Sequence, residues 1–131
     1  ATELPFNFMI GDYMVRGIID RIDRVSPGHY HVVDYKTSKS SKYLKDFQLI
    51  LYAIAIQEIY PDAKKISGSY CMLKHKSSLK GWEFTDEDLT RVREKILHIG
   101  TSITTDEKWE KKESFLCNWC DYKTICLESW T

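Results

Sequence analysis

Two β-rich runs that carry acids and a lysine among apolar residues constrain this chain more than any other feature. The first is Gly17-Ile18-Ile19-Asp20-Arg21-Ile22-Asp23 and the second is His31-Val32-Val33-Asp34-Tyr35-Lys36, with the turn Ser26-Pro27-Gly28-His29 between them. Ionisable side chains inside such strands are costly unless they bind something. Folded into an antiparallel hairpin with the turn centred on Pro27, the runs set Asp20 opposite Asp34 and Ile18 opposite Lys36. Side chains alternate faces with period two, so Asp20, Asp34 and Lys36 emerge together, with Cβ atoms about 5–8 Å apart. Two carboxylates and a lysine so placed hold a hard divalent cation and position water against a phosphodiester. A one-residue slip in register would send Asp20 to the other face. Without a ligand, the same residues read as charged positions on a surface hairpin. Alternation puts Arg21 and Asp23 on the opposite face as structural residues. His29 and His31 flank the turn and read as surface residues, not ligands.

The segment Lys42 to Ile59 reads as an amphipathic helix, with apolar positions at Tyr43, Leu44, Phe47, Leu51, Ile54, Ala55 and Ile59. Tyr60-Pro61 stops it. On its narrower polar side Lys45, Gln48 and Tyr52 are three and four residues apart and share one stripe. A helix that directly follows the Asp-x-Lys strand packs on the same sheet and can turn this stripe toward the acids. Alone, Gln48 and Tyr52 read as a solvated amide and a core-edge phenol.

Together these residues resemble the PD-(D/E)XK nuclease superfamily, and most closely its RecB-like branch. That branch carries a G-x-x-D strand (here Gly17 to Asp20), a D-x-K strand (Asp34 to Lys36) and a Q-x-x-x-Y helix (Gln48 to Tyr52), in this order. The resemblance implies a restriction-endonuclease-like core and metal-dependent phosphodiester hydrolysis. Asp20, Asp34 and the backbone carbonyl of Tyr35 would ligate Mg²⁺ or Mn²⁺. Lys36 would orient the attacking water or stabilise developing charge, and Gln48 and Tyr52 would hydrogen-bond near the scissile phosphate or the nucleophile. It also implies DNA as partner, as single strands or duplex ends. A further active-site helix is expected upstream of the first strand. Ala1 runs almost directly into a strand near Pro5–Ile10, so that helix is expected to come from elsewhere or to be missing.

An independent signal lies at the C-terminus, where Cys117-Asn118-Trp119-Cys120 and Cys126 form C-x2-C-x5-C. Thiolates at this spacing suit zinc or an iron–sulfur cluster. The RecB-like enzymes of the AddB type and the CRISPR-associated adaptation nucleases are similar; they close a cluster with three C-terminal cysteines and one from near the N-terminus. The resemblance therefore implies a 4Fe–4S cluster on Cys117, Cys120 and Cys126, with Zn²⁺ as the alternative. Cys71 lies inside the expected strand Ile66–Leu73, where a small buried thiol is the ordinary reading. It is the weaker candidate for a fourth ligand.

At 131 residues the chain has enough material for one core. The expectation is one α+β domain over residues 1–131, a mixed sheet flanked by helices, with a cysteine-rich metal-binding segment at 113–131. Nineteen basic and nineteen acidic residues cancel, which removes any general electrostatic case for nucleic acid. A local one remains in Lys36, Lys39, Lys42 and Lys45, which could follow a phosphate backbone. No signal peptide or membrane-length apolar run is visible, and the expected location is cytoplasmic. Lys74-His75-Lys76-Ser77-Ser78 reads as a turn and Trp82–Phe84 as a short strand. Thr85 caps an acidic first turn, and the helix that follows runs through Val92, Ile96 and Ile99 to Gly100. Two other classes compete with a nuclease: a non-catalytic DNA-binding module of the same fold, and a structural zinc-binding interaction domain. The second leaves the acidic hairpin unexplained.

Overall fold

The computed structural model describes residues 1–38, 42, 44–74 and 78–128, with residues 78–80 and 127–128 by backbone only. The expectations for Lys39, for Tyr43 and for the turn residues His75, Lys76 and Ser77 lie outside the described residues. Two compact units are present, Ala1–Thr101 and Ser102–Thr131.

The first unit is built on a mixed sheet of strands in sequence order. β1 (Thr2–Ile10), β2 (Tyr13–Ser26) and β3 (His29–Lys36) form an antiparallel meander. Helix α1 (Phe47–Ile59) then crosses over, so that β4 (Lys65–Met72) pairs parallel with β3. β5 (Ser78–Glu83) returns antiparallel to β4, and α2 (Asp86–Thr105) follows. The α+β class with a mixed sheet and helices is as the sequence implied. The strand expected at Trp82–Phe84 begins earlier, at Ser78, where the β4 ladder reaches its partner.

Burial explains why these segments adopt these elements. Phe6, Phe8 and Ile10 alternate with exposed residues along β1, as a sheet with one covered face requires. Their cross-strand partners are Gly17, Val15 and Tyr13. Along β2 the buried positions then change phase: Ile19 and Ile22 are both in the core, three residues apart. The ladder to β1 skips Glu3 and Asp20 at this point, and Glu3 has a φ of 48°. Asp20 therefore sits where strict period-two alternation breaks.

Helix α1 differs from expectation in two ways. It starts at Phe47, not Lys42, because the Lys45 carbonyl accepts a hydrogen bond from the Tyr70 hydroxyl at 2.8 Å and the Asp46 carboxylate pairs with Arg91 at 3.0 Å. Tertiary partners thus hold the residues before Phe47 outside the helix. It is also not amphipathic. Leu49, Ile50, Ala53, Ile54, Ala55 and Ile56 are wholly buried and occupy the whole circumference, the pattern of a core helix. Its contacts run to β1, β3 and β4, while Leu89 and Val92 of α2 join the same core.

α2 begins as expected. The Thr85 hydroxyl accepts from the Asp88 N–H and the Asp88 carboxylate accepts from the Thr85 N–H, a reciprocal capping arrangement. It continues past Gly100 to Thr105. A Cβ at Gly100 would lie 2.5 Å from the Tyr13 ring, so this glycine serves a close approach, not a helix end.

The second unit holds a single turn of 3₁₀ helix at Phe115–Trp119 and a short helix, α3, at Lys123–Glu128. Ser114 caps the first turn, accepting from the Leu116 N–H. Trp109, Phe115, Trp119 and Tyr122 are exposed there. No helix among the described residues is long and apolar enough to cross a membrane.

Candidate active site

The register places the acids where the hairpin argument requires. β2 pairs Arg21 with Val33 and Asp23 with His31, so the next step of the same ladder brings Asp20 to Asp34. At that step a side chain replaces the ladder. One Asp20 carboxylate oxygen accepts the Tyr35 backbone N–H at 2.9 Å. Asp20 thus reaches β3 through its carboxylate at the phase break in β2, a route that alternation alone does not provide.

Asp34 is the centre of the site and is buried, with 3% of its surface exposed. Its Oδ1 accepts from Gln48 Nε2 at 3.0 Å. Lys36 Nζ lies 2.7 Å from Oδ2, near enough for an ion pair, yet it is not aligned to donate to that oxygen and donates instead to Gln48 Oε1 at 2.9 Å. Gln48 Nε2 also donates to the Tyr52 hydroxyl at 2.8 Å. One amide therefore bridges Asp34, Lys36 and Tyr52. The structure unites all five residues singled out for catalysis: Asp20, Asp34, Lys36, Gln48 and Tyr52. Gln48 is half-buried and fully engaged, where the sequence suggested a solvated stripe; Lys45 precedes the helix and leaves that stripe.

The electrostatics follow from burial. Desolvation raises the Asp34 carboxyl above its ordinary pKa; Lys36 opposes this and the Asp20 charge adds to it. Burial likewise raises the Tyr52 phenol, keeping it a neutral hydrogen-bonding group. Asp34 Oδ2 has no hydrogen-bond donor among the described residues. The Lys36 ammonium 2.7 Å away only partly offsets the burial of this charge, and beside a second carboxylate the site can take a divalent cation. The donors are hard oxygens, which fit Mg²⁺ or Mn²⁺. Among the described residues, however, no third His, Cys, Asp or Glu gathers with them, so the protein ligands would be completed by main-chain oxygen or water.

The glycine of the first motif has a steric role. The Phe6 ring lies across Gly17, where a Cβ would come within 2.7 Å of it, and Phe6 meets Tyr52 edge-on with ring centroids 5.9 Å apart. Gly17 thereby lets Phe6 brace the phenol that Gln48 engages. The opposite face of the sheet is structural, as alternation implied: Arg21 pairs with Asp23 at 2.9 Å and reaches the Tyr35 hydroxyl at 3.4 Å. His31 corrects the surface reading. It is half-buried, and its ring nitrogens are bonded to Ser67 and Ser69 at 2.8 and 2.9 Å. His29 Nε2 meets the same Ser67 hydroxyl at 3.1 Å.

In the second unit, Cys117, Cys120 and Cys126 line one small pocket together with Lys111, Lys112 and Lys123. The Cys120 N–H donates to the Cys117 carbonyl and the Lys123 N–H to the Cys120 carbonyl, a succession of tight turns. Three thiols on such turns are a chemically apt donor set for Zn²⁺ or an iron–sulfur centre. The trio is not drawn together as a metal-binding group among the described residues. Cys71 is buried within β4, in the first unit.

A mixed sheet carrying two acids and a lysine at one strand junction, buttressed by a Gln–Tyr helix, is the arrangement that the three sequence motifs imply together. The chain belongs to the PD-(D/E)XK nuclease superfamily, whose family model matches residues 1–127. It is 32% identical over 131 residues to Gene 69 protein of Mycobacterium phage L5, covering 96% of this chain and 44% of that protein. It is 41% identical over 78 residues to an ATP-dependent helicase/deoxyribonuclease component of Streptococcus mutans, covering 53% of this chain and 7% of that protein. These relatives support the RecB-like branch. The chain thus spans under half the length of the phage relative. The fold also matches the crystal structure of a putative exonuclease from Eubacterium rectale, with a TM-score of 0.52 at 13% identity, over 100% of this chain and 52% of that one.

Proposed function

We propose that this chain hydrolyses DNA phosphodiester bonds with Mg²⁺ or Mn²⁺, as a RecB-like exonuclease of DNA repair, recombination or the processing of phage or CRISPR-related DNA. The observation that carries this reading is the buried Asp34 carboxylate beside Asp20, one oxygen bonded by Gln48 and the other facing the Lys36 ammonium at 2.7 Å. Asp34, Asp20 and the Tyr35 carbonyl would hold the ion. When bound, it supplies Lewis acidity to the phosphate and activates water. Lys36, on the same strand as Asp34, places its ammonium where charge develops on the phosphate or the attacking water. Gln48 fixes that ammonium and donates to the Tyr52 hydroxyl, turning the phenol's own proton toward a phosphate oxygen or the nucleophile.

Labelled single- and double-stranded DNA incubated with the protein tests this directly. Cleavage that requires Mg²⁺ or Mn²⁺ and disappears in Asp34→Ala is expected. One observation favours the competing reading of a non-catalytic DNA-binding module: a third acidic or histidine ligand is missing among the described residues. DNA binding without cleavage would select that reading.

We further propose that Cys117, Cys120 and Cys126 bind one inorganic centre. The resemblance favours a 4Fe–4S cluster, and Zn²⁺ is the alternative that thiolate chemistry equally permits. Metal and sulfide analysis of anaerobically prepared protein decides between them.

A further inference from the structure

We infer that Tyr70 is the residue that positions the Lys36 ammonium, a role resting on the nuclease reading for its kinetic consequence but on the structure alone for the contact. Tyr70 lies on β4 directly opposite Asp34 in the parallel ladder. Lys36 Nζ sits 5.2 Å from the centroid of its ring, within the range where an ammonium is attracted to an aromatic face. Tyr70 is 2% exposed and the Lys36 side chain 26%, so water screens this attraction only in part.

The ring has little freedom to move. Trp82 meets it at 86° with centroids 5.8 Å apart. Its hydroxyl is tied to the Lys45 carbonyl at 2.8 Å, just ahead of the helix that carries Gln48. Lys36 is thus held from three sides, by the Asp34 carboxylate, the Gln48 carbonyl and the Tyr70 face. The first two hold it by charge and hydrogen bonding through oxygen atoms that a bound cation would also draw on. The aromatic face has no such competitor. It keeps the ammonium in place when the polar partners are engaged with ligand.

A phenylalanine retains the face and a leucine does not, which separates this role from simple packing. In steady-state DNA cleavage, Tyr70→Leu should lower kcat about tenfold with KM little changed, the scale of one lost cation–aromatic contact at a partly desolvated site. Tyr70→Phe should restore kcat to within about threefold of the parent. In the Lys36→Ala background, Tyr70→Leu should cause no further loss of single-turnover rate, since a residue that acts through Lys36 has nothing left to position. Urea unfolding of Lys36→Ala, Tyr70→Leu and the double variant reads the contact without activity: their effects on the folding equilibrium should fall short of additivity by about fivefold. Additive effects in urea, a kcat that follows only the folded fraction, or an undiminished Tyr70→Leu effect without Lys36 would overturn the inference. A parent protein that cuts no DNA would instead overturn the nuclease reading, and the urea cycle would still decide the contact.

Discussion

At Asp34 burial outweighs the Lys36 ion pair 2.7 Å away, so the carboxyl's pKa is raised and its charge is disfavoured in the folded protein. A charged oxygen withheld from water destabilises the free protein. Asp34→Asn should therefore abolish metal-dependent cleavage while leaving the thermal midpoint unchanged or raised, as followed by circular dichroism. A midpoint lowered by many degrees would mean that the carboxylate is a structural anchor. Gln48 behaves differently, because its amide makes three hydrogen bonds within the site. At about 0.5–1.5 kcal/mol net for each, Gln48→Ala should cost roughly 2 kcal/mol of stability in urea. Its cleavage rate should fall much further, by about a hundredfold, since Lys36 and Tyr52 lose their common tether. A rate that fell only in proportion to the folded fraction would return Gln48 to a packing role.

Among the elements, the sheet and α2 carry tests of the fold itself. Gly100→Ala within a helix would ordinarily stabilise by about 1 kcal/mol. Here a Cβ would press on the Tyr13 ring, so the sign should reverse, and Tyr13→Ser in the same chain should restore it. The second face of the sheet carries a pH dependence. Burial holds the His31 pKa below its ordinary value, with His29 and Arg21 acting in the same direction and Asp23 opposing. A histidine depressed in the folded state contributes stability present above its unfolded pKa of about 6.5 and lost as pH falls through the folded value. Urea midpoints should decline below about pH 6.5, and His31→Gln should remove that part of the slope. Hairpin register and the Thr85 cap were legible in the sequence because they follow from local chemistry: a turn at Ser26-Pro27-Gly28, period-two burial, and acids in the turn after a threonine. The start of α1 was not, because Tyr70, 25 residues away, fixes the Lys45 carbonyl. The Asp20 phase break escaped for a similar reason, since alternation was assumed to be unbroken. Tyr70 itself gave no signal, as only the parallel pairing with β3 brings it to Asp34.

For the whole molecule, the two compact units separate two chemistries: hard oxygen donors at Asp20 and Asp34, and soft thiolates at Cys117, Cys120 and Cys126. Cys120→Ser should remove the bound iron or zinc measured by elemental analysis, whereas Cys71→Ala, altering a buried strand residue of the sheet, should leave that metal content unchanged. Loss of metal in Cys71→Ala would make it the fourth ligand after all. The division also implies that removing divalent cations from the acidic site should stop chemistry without disturbing the cysteine centre, provided the chelator is too weak to extract a thiolate-bound ion. The acidic site as a whole is tested most directly by one assay: cleavage of end-labelled single- and double-stranded DNA by the protein and by Asp34→Ala, with Mg²⁺, with Mn²⁺ and without either. Cleavage by the parent protein only when a divalent ion is present, and none by Asp34→Ala under any condition, is the expected result. Equal cleavage by both proteins, or none by either in the presence of both metals, would contradict it.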